Sequence, residues 1–166
     1  MTKETYIKLT QPFRDNPGMA RGIHIANKVC TMCMYVAYPL LVVYMFWIKD
    51  KGFWQALLVP AISFMLLKIF RAFFNRPRPY EAFELPPVIK KDTKGKSFPS
   101  RHVFSSMVIA MTFLLVSPWM WLGVVFVLLT VLLAVVRVMS GVHYPSDVIA
   151  GAGFAVLVAI VGYMTL

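Results

Sequence analysis

Acidic residues are scarce in this chain: seven Asp and Glu stand against 17 Lys and Arg in 166 residues. Charge of either sign is thin, at 14% of the chain, where soluble proteins carry roughly 25%. That shortage excludes disorder, which needs low hydrophobicity and high charge, and it argues against an ordinary soluble globule. Cysteine is nearly missing too. Cys30 and Cys33 are the only two, so no disulfide framework beyond one bridge is available. No second CxxC and no ligand cluster accompanies them, and they read as small apolar residues of a membrane helix. No H-x-x-x-H or D-x-D spacing occurs, and nothing calls for a metal or a cofactor. Internal repeats and low-complexity tracts are absent. The opening stretch MTKETYIKLTQPFRDNPG has no apolar core, so it does not read as a cleaved signal peptide.

What the chain has in abundance is apolar surface: 59% of residues and a mean hydropathy of +0.70. A membrane-crossing helix needs about 20 mostly apolar residues. Uncharged runs cover Thr31 to Ile48 and Phe53 to Leu67, the second continuing as helix to about Phe74. Val103 to Val136 is too long for one span and is broken at Ser117-Pro118-Trp119, which predicts two helices and a tight turn. Val148 to Leu166 closes the chain. The expectation is an all-α, integral-membrane helical bundle of about five transmembrane helices, forming a single domain over 1–166. Residues 1–28, interrupted by Pro12, Pro17 and Gly18, predict an interfacial segment with a tilted approach to the first span. The 75–101 stretch is too long for a plain connector and predicts a functional loop.

Alternating spans put the turns at Lys49–Gly52 and Ser117–Trp119 on one side, and the 75–101 loop and the Arg137–Asp147 connection on the other. Residues 68–101 hold nine of the 17 basic residues and three acids, Glu81, Glu84 and Asp92. Positive charge is therefore concentrated on one membrane face. In a chain this apolar, that pattern fits anionic lipid or a phosphate-bearing substrate rather than nucleic acid.

Three polar clusters gather on that face: Arg71 to Pro79, then Pro99-Ser100-Arg101-His102, then Arg137, His143 and Asp147. Arg71, Arg78 and Arg137 offer planar forks that match phosphate oxygens. Ser100 suits the N-cap of the third span, where free N–H groups attract anions. Two histidines can serve as nucleophile or base and as acid near neutral pH. Asp147, four residues after His143, can bond one imidazole nitrogen and leave the other free to attack. This is the chemistry of phosphoryl transfer without a metal. Outside the clusters, Arg76 and Lys68 read as interfacial anchors. Lys90, Lys91, Lys94 and Lys96 read as a solvated loop drawn to anionic lipid, and His24 as structural. Tyr80, Trp47, Trp54, Trp119 and Trp121 fall near interfaces. Gly151, Gly153 and Ala155 read as a close helix-packing surface.

The order [K/R]-x6-RP, PSxH, R-x5-H-x3-D resembles the three-part signature of the type-2 phosphatidic acid phosphatase superfamily, across Arg71 to Asp147. The resemblance implies that His143 is the nucleophile forming a phosphohistidine, Asp147 its orienting carboxylate, and His102 the acid for the leaving oxygen. It also implies phosphate binding by Arg71, Arg78, Arg137, Ser100 and Arg101. Three positions depart from the family pattern. Arg71 stands where Lys is usual and keeps the charge. Arg101 replaces the Gly of PSGH and adds a cation that favours a more anionic head group. Val136 replaces a common Ser and removes a hydrogen bond.

The implied reaction is metal-independent hydrolysis of a membrane lipid phosphate or pyrophosphate, such as undecaprenyl pyrophosphate, phosphatidate or phosphatidylglycerol phosphate. Two other readings stay open: a lipid phosphotransferase using the same phosphohistidine, and a non-catalytic lipid-phosphate binding or transport protein. The partners implied are the lipid substrate and membrane lipids, and the sequence sets no oligomeric state. Orientation is in conflict. The Lys/Arg bias places the active face in the cytoplasm, whereas the resemblance implies the extracytoplasmic face of a bacterial cell membrane.

Overall fold

The computed structural model describes residues 1–91 and 93–166; Asp92, one of the loop acids, lies outside the described residues. Among the described residues the chain forms seven α-helices and no strand. They are α1 (Lys3–Asp15), α2 (Pro17–Trp47), α3 (Phe53–Phe73), the short α4 (Pro79–Ala82), α5 (Arg101–Leu115), α6 (Met120–Met139) and α7 (Pro145–Thr165). By length and composition, α2, α3, α6 and α7 can each cross a membrane. The protein is an integral membrane helical bundle.

α5 is the exception among the apolar helices. Its 15 residues give about 22 Å of helix, short of a bilayer core of about 30 Å. It is also the most enclosed helix, with Val103 to Ala110, Thr112 and Phe113 all buried. It packs against α2, α3, α6 and α7. A helix wrapped by its neighbours meets protein instead of lipid, so bilayer thickness does not set its length. Small residues permit the closest approaches. A Cβ on Gly123 would lie 2.6 Å from the Leu114 backbone nitrogen, which makes the α5–α6 turn tight. A Cβ on Gly151 would lie 2.9 Å from the Ser100 carbonyl oxygen, which brings α7 against the start of α5. Gly153, expected on the same packing surface, has open space at that position, while Ala155 is fully buried.

The N-terminal segment divides differently from the sequence expectation. Asn16 ends α1 and caps α2, its Oδ1 accepting from the N–H groups of Gly18 at 2.9 Å and Met19 at 3.2 Å, with Pro17 in the first turn. Pro17 and Gly18 thus begin the first long helix instead of interrupting an interfacial one. α1 folds over the loop end of the bundle. Tyr6 is buried, donates to the Leu85 carbonyl at 3.4 Å and packs against Gly141. Gly141 has φ +76° and a Cβ there would meet the Tyr6 hydroxyl at 2.6 Å, so the α6–α7 connection needs glycine at this point. At the opposite end, Gly52 touches Val116, which places the two short turns together as the alternation of spans requires. Trp47, Trp54 and Trp121 stand exposed there as an aromatic rim.

Candidate active site

The loop end of the bundle holds a cavity of about 440 Å³ lined by Phe64, Leu67, Lys68, Arg71, Arg78, Lys91, Thr93, Lys96, Arg101, His102 and His143. Its floor is apolar and comes from α3, while its rim is basic. Five of the eight residues singled out from sequence line it directly: Arg71, Arg78, Arg101, His102 and His143. The other three, Ser100, Arg137 and Asp147, are buried beside them.

His143 sits in the α6–α7 connection and is 1% exposed. Its Nδ1 lies 3.4 Å from Asp147 Oδ2, across one helical turn. Its Nε2 lies 3.4 Å from Arg78 Nη1. With a proton on Nδ1 shared with the carboxylate, Nε2 is the acceptor nitrogen at the cavity, and Arg78 Nη1 donates toward its lone pair. Burial pushes the His143 pKa down to about 3; the hydrogen bond and charge of Asp147 oppose this, and the charges of Arg137 and Arg78 reinforce it. The imidazole is therefore neutral, as a nucleophile must be.

Asp147 is held from several directions. Oδ2 accepts from Ser97 Oγ at 2.5 Å and from the Tyr144 N–H at 3.0 Å, while Oδ1 accepts from Arg76 Nη1 at 2.9 Å. Pro145 fixes the first turn of α7, and the Asp147 side chain closes a capping box there. The backbone also joins the two motif helices, because the Ser100 N–H donates to the Asp147 carbonyl at 2.8 Å.

The arginines differ in how much of each fork is committed. Arg71 donates through both terminal nitrogens to loop carbonyls, those of Pro99 and Lys96. It braces the loop against α3 while its charge faces the cavity. Arg78 donates to the carbonyls of Gly95 at 3.1 Å and Val142 at 3.2 Å, and burial lowers its pKa. Arg137 donates through Nη1 to Asn27 of α2 at 3.0 Å, whereas its Nε and Nη2 are buried without a hydrogen-bond partner among the described residues. Ser100 occupies the N-cap position of α5 but makes no side-chain cap bond, contrary to expectation. Its Oγ is likewise buried and has no partner among the described residues.

Several residues matter more than the sequence suggested. Arg76, read as an anchor, pairs with Asp147. Ser97, unmarked in the sequence, donates to the same carboxylate. Lys68, Lys91 and Lys96, read as an anchor and solvated lysines, line the cavity. Lys91 is pushed down to about 8 by burial and then by the charges of Arg137, Arg78, Arg101 and Arg71. A signal for Arg76 and Ser97 existed in principle. Both flank a loop that must return to the one acid of the third motif, although sequence cannot say which loop donors reach it.

Residues 52–166 match the PAP2 superfamily. Over 92 residues the chain is 35% identical to an undecaprenyl-diphosphatase from Sulfolobus acidocaldarius, covering 54% of this chain and 43% of that protein. The match thus spans less than half the length of that curated relative. The fold resembles the crystal structure of Aquifex aeolicus LpxE, with a TM-score of 0.74 and 22% identity over 97% of this chain and 93% of that one. It also resembles a transmembrane PAP2-type phosphatidylglycerolphosphate phosphatase from Bacillus subtilis, with a TM-score of 0.70 and 19% identity over 96% and 83% of the two chains.

Proposed function

The chain belongs to the PAP2 superfamily, and we propose that it hydrolyses a lipid phosphate or diphosphate through a phosphohistidine on His143. One observation carries the reading. A neutral, buried imidazole backed by Asp147 opens into a cavity whose described lining holds six Lys and Arg and no acid. Such a site attracts phosphate, neutralises its oxygens and presents a lone pair to phosphorus.

The steps follow from these positions. The His143 Nε2 lone pair attacks phosphorus, and the bond from phosphorus to the leaving oxygen breaks with its electrons on that oxygen. His102, protonated as the phosphate's negative charge offsets the burial and the Arg137 charge that otherwise lower its pKa, gives the leaving oxygen that proton. Water then attacks the phosphohistidine, His102 takes a proton from it, the P–N bond breaks and inorganic phosphate departs. Arg78, Arg137 and the Ser100 hydroxyl hold the non-bridging oxygens, with Arg71 and Arg101 adding charge. The apolar floor at Phe64 and Leu67 receives the first part of the lipid chain.

The surplus of cations at the rim favours a diphosphate head group, in line with the name of the Sulfolobus relative. The family resemblance, against the Lys/Arg bias, supports an extracytoplasmic active face; in a background lacking Cys30 and Cys33, a single cysteine at Ser146 should then label with an impermeant reagent from outside the cell and one at the turn residue Lys51 should not. The deciding experiment measures phosphate release by purified protein in EDTA, from a lipid diphosphate and from the monophosphate of the same lipid. Release from both, faster from the diphosphate, is expected. Transfer to an added alcohol in place of release would favour the phosphotransferase. No turnover of either lipid would overturn the reading.

A further inference from the structure

Arg76 precedes the Arg78-Pro79 pair by two residues and lies outside the recognised signature, yet three of its groups converge on the nucleophile's support. Its Nη1 donates to Asp147 Oδ1 and to Ser146 Oγ, both at 2.9 Å. Its guanidinium lies over the Tyr144 ring, 4.0 Å from the centroid, a cation–π contact that fixes the plane of the fork. Its carbonyl accepts from the Ser97 N–H at 2.9 Å, and the Ser97 hydroxyl is the 2.5 Å donor to Asp147 Oδ2. One residue therefore acts on both carboxylate oxygens, directly on Oδ1 and through Ser97 on Oδ2.

We propose that Arg76 is a positioning residue for the catalytic pair: it occupies Oδ1 of Asp147, so that Oδ2 is the oxygen presented to His143 Nδ1, and thereby sets the aim of Nε2. The inference rests on the reading of His143 as the nucleophile. The carboxylate has two equivalent oxygens and one rotatable bond that could exchange them. With Oδ1 tied to a cation seated on Tyr144 and Ser146, that rotation would break an ion pair. Tyr144 and Ser146 flank the α7 start that also carries His143 and Asp147, so the clamp spans the segment whose geometry matters. The Arg76 side chain is 40% exposed and that of Asp147 fully buried, so Arg76 works from the rim. It has water available when its partner is removed, which makes truncation tolerable to the fold.

A misdirected nucleophile loses rate more than affinity, and small misplacements of reacting groups carry large penalties. Arg76→Ala should lower kcat about tenfold with KM within about twofold. Arg76→Lys, which keeps the charge but not the fork, should recover part of that loss. The same truncation in an Asp147→Asn background should cost less than about twofold more, since the two residues act as one unit. Folding is checked by gel filtration and thermal midpoint in detergent; should Arg76→Ala not fold, the Arg76→Lys and Arg76→Gln pair is read in the same way. A kcat within twofold of wild type would overturn the proposal. So would a loss confined to KM, which would make Arg76 a substrate ligand, or an undiminished loss in the Asp147→Asn background. In each of these cases wild-type turnover still supports the hydrolase. A wild type inert on both lipids fails that earlier reading instead.

Discussion

Asp147 and Arg137 are both buried charges of one site, and their surroundings treat them in opposite ways. Asp147 has protein donors on both oxygens, from Arg76, Ser97 and Tyr144, with His143 beside them. Among the described residues Arg137 has a single hydrogen-bond partner, Asn27, and leaves Nε and Nη2 buried and unpaired. Burying a charge is costly unless partners replace water. The cost is met for the acid within the fold. On the proposed function, the arginine's cost is met when phosphate oxygens arrive, so its interaction would favour the bound and reacting states. On that proposal the acid is part of the frame and the arginine part of the binding surface.

The comparison breaks most visibly at Asp147. Asp147→Asn keeps the shape but removes the charge that supports an imidazole becoming cationic, so turnover should drop by about 10³-fold or more. The thermal midpoint should fall as well, because Arg76 loses its carboxylate; phosphate release and a melting curve on one preparation check both. Arg137→Met should lower kcat/KM by about 10- to 100-fold, the value of hydrogen bonds to a charged group. Here the thermal midpoint should hold or rise, since replacing a buried, poorly paired charge by an apolar side chain of similar reach is often stabilising. If both variants shift the midpoint in the same direction, the contrast between frame and surface is wrong.

A third effect is on pH dependence. His143 stays neutral in the folded protein down to about pH 3, against an ordinary value of 6.5, chiefly through burial. Its folded pKa is depressed, so its contribution to stability is complete above about 6.5 and is lost as pH falls toward 3. The slope is about 1.4 kcal/mol per pH unit. Between pH 7 and pH 4 the wild type should therefore lose more stability than His143→Gln. Arg137→Met, which removes one of the charges depressing that pKa, should narrow the difference. Parallel melting curves for wild type and His143→Gln would contradict this.

How much of this was legible in the sequence follows from what enforces each feature. Lipid leaves the backbone no choice but helix, so the uncharged runs located α2, α3, α6 and α7 to within a few residues, except that α2 begins well before its uncharged stretch. The division of the Val103–Val136 run at Ser117-Pro118-Trp119 was legible and falls between α5 and α6; the enclosure of α5 by its neighbours was not, because an uncharged run reads the same against protein as against lipid. The three motifs brought His102, His143, Arg71, Arg78 and Arg101 to one cavity because each lies at or beside a helix end on the same face. Arg76 and Ser97 escaped because their partner lies 71 and 50 residues further along the chain. Asn27 escaped because it comes from a helix that precedes the matched family region. Close packing was half legible: Gly151 meets Ser100, and Gly153 meets nothing.

The central claim is that His143 carries the phosphoryl group between substrate and water. It is tested most directly by reacting the enzyme with a radiolabelled phosphate ester that has a good leaving group, quenching in alkali and mapping the label. The account predicts transient phosphate on His143, accumulation in His102→Ala, where water is no longer deprotonated, and none in His143→Ala. Label on another residue, or near-normal turnover by His143→Ala, would contradict it.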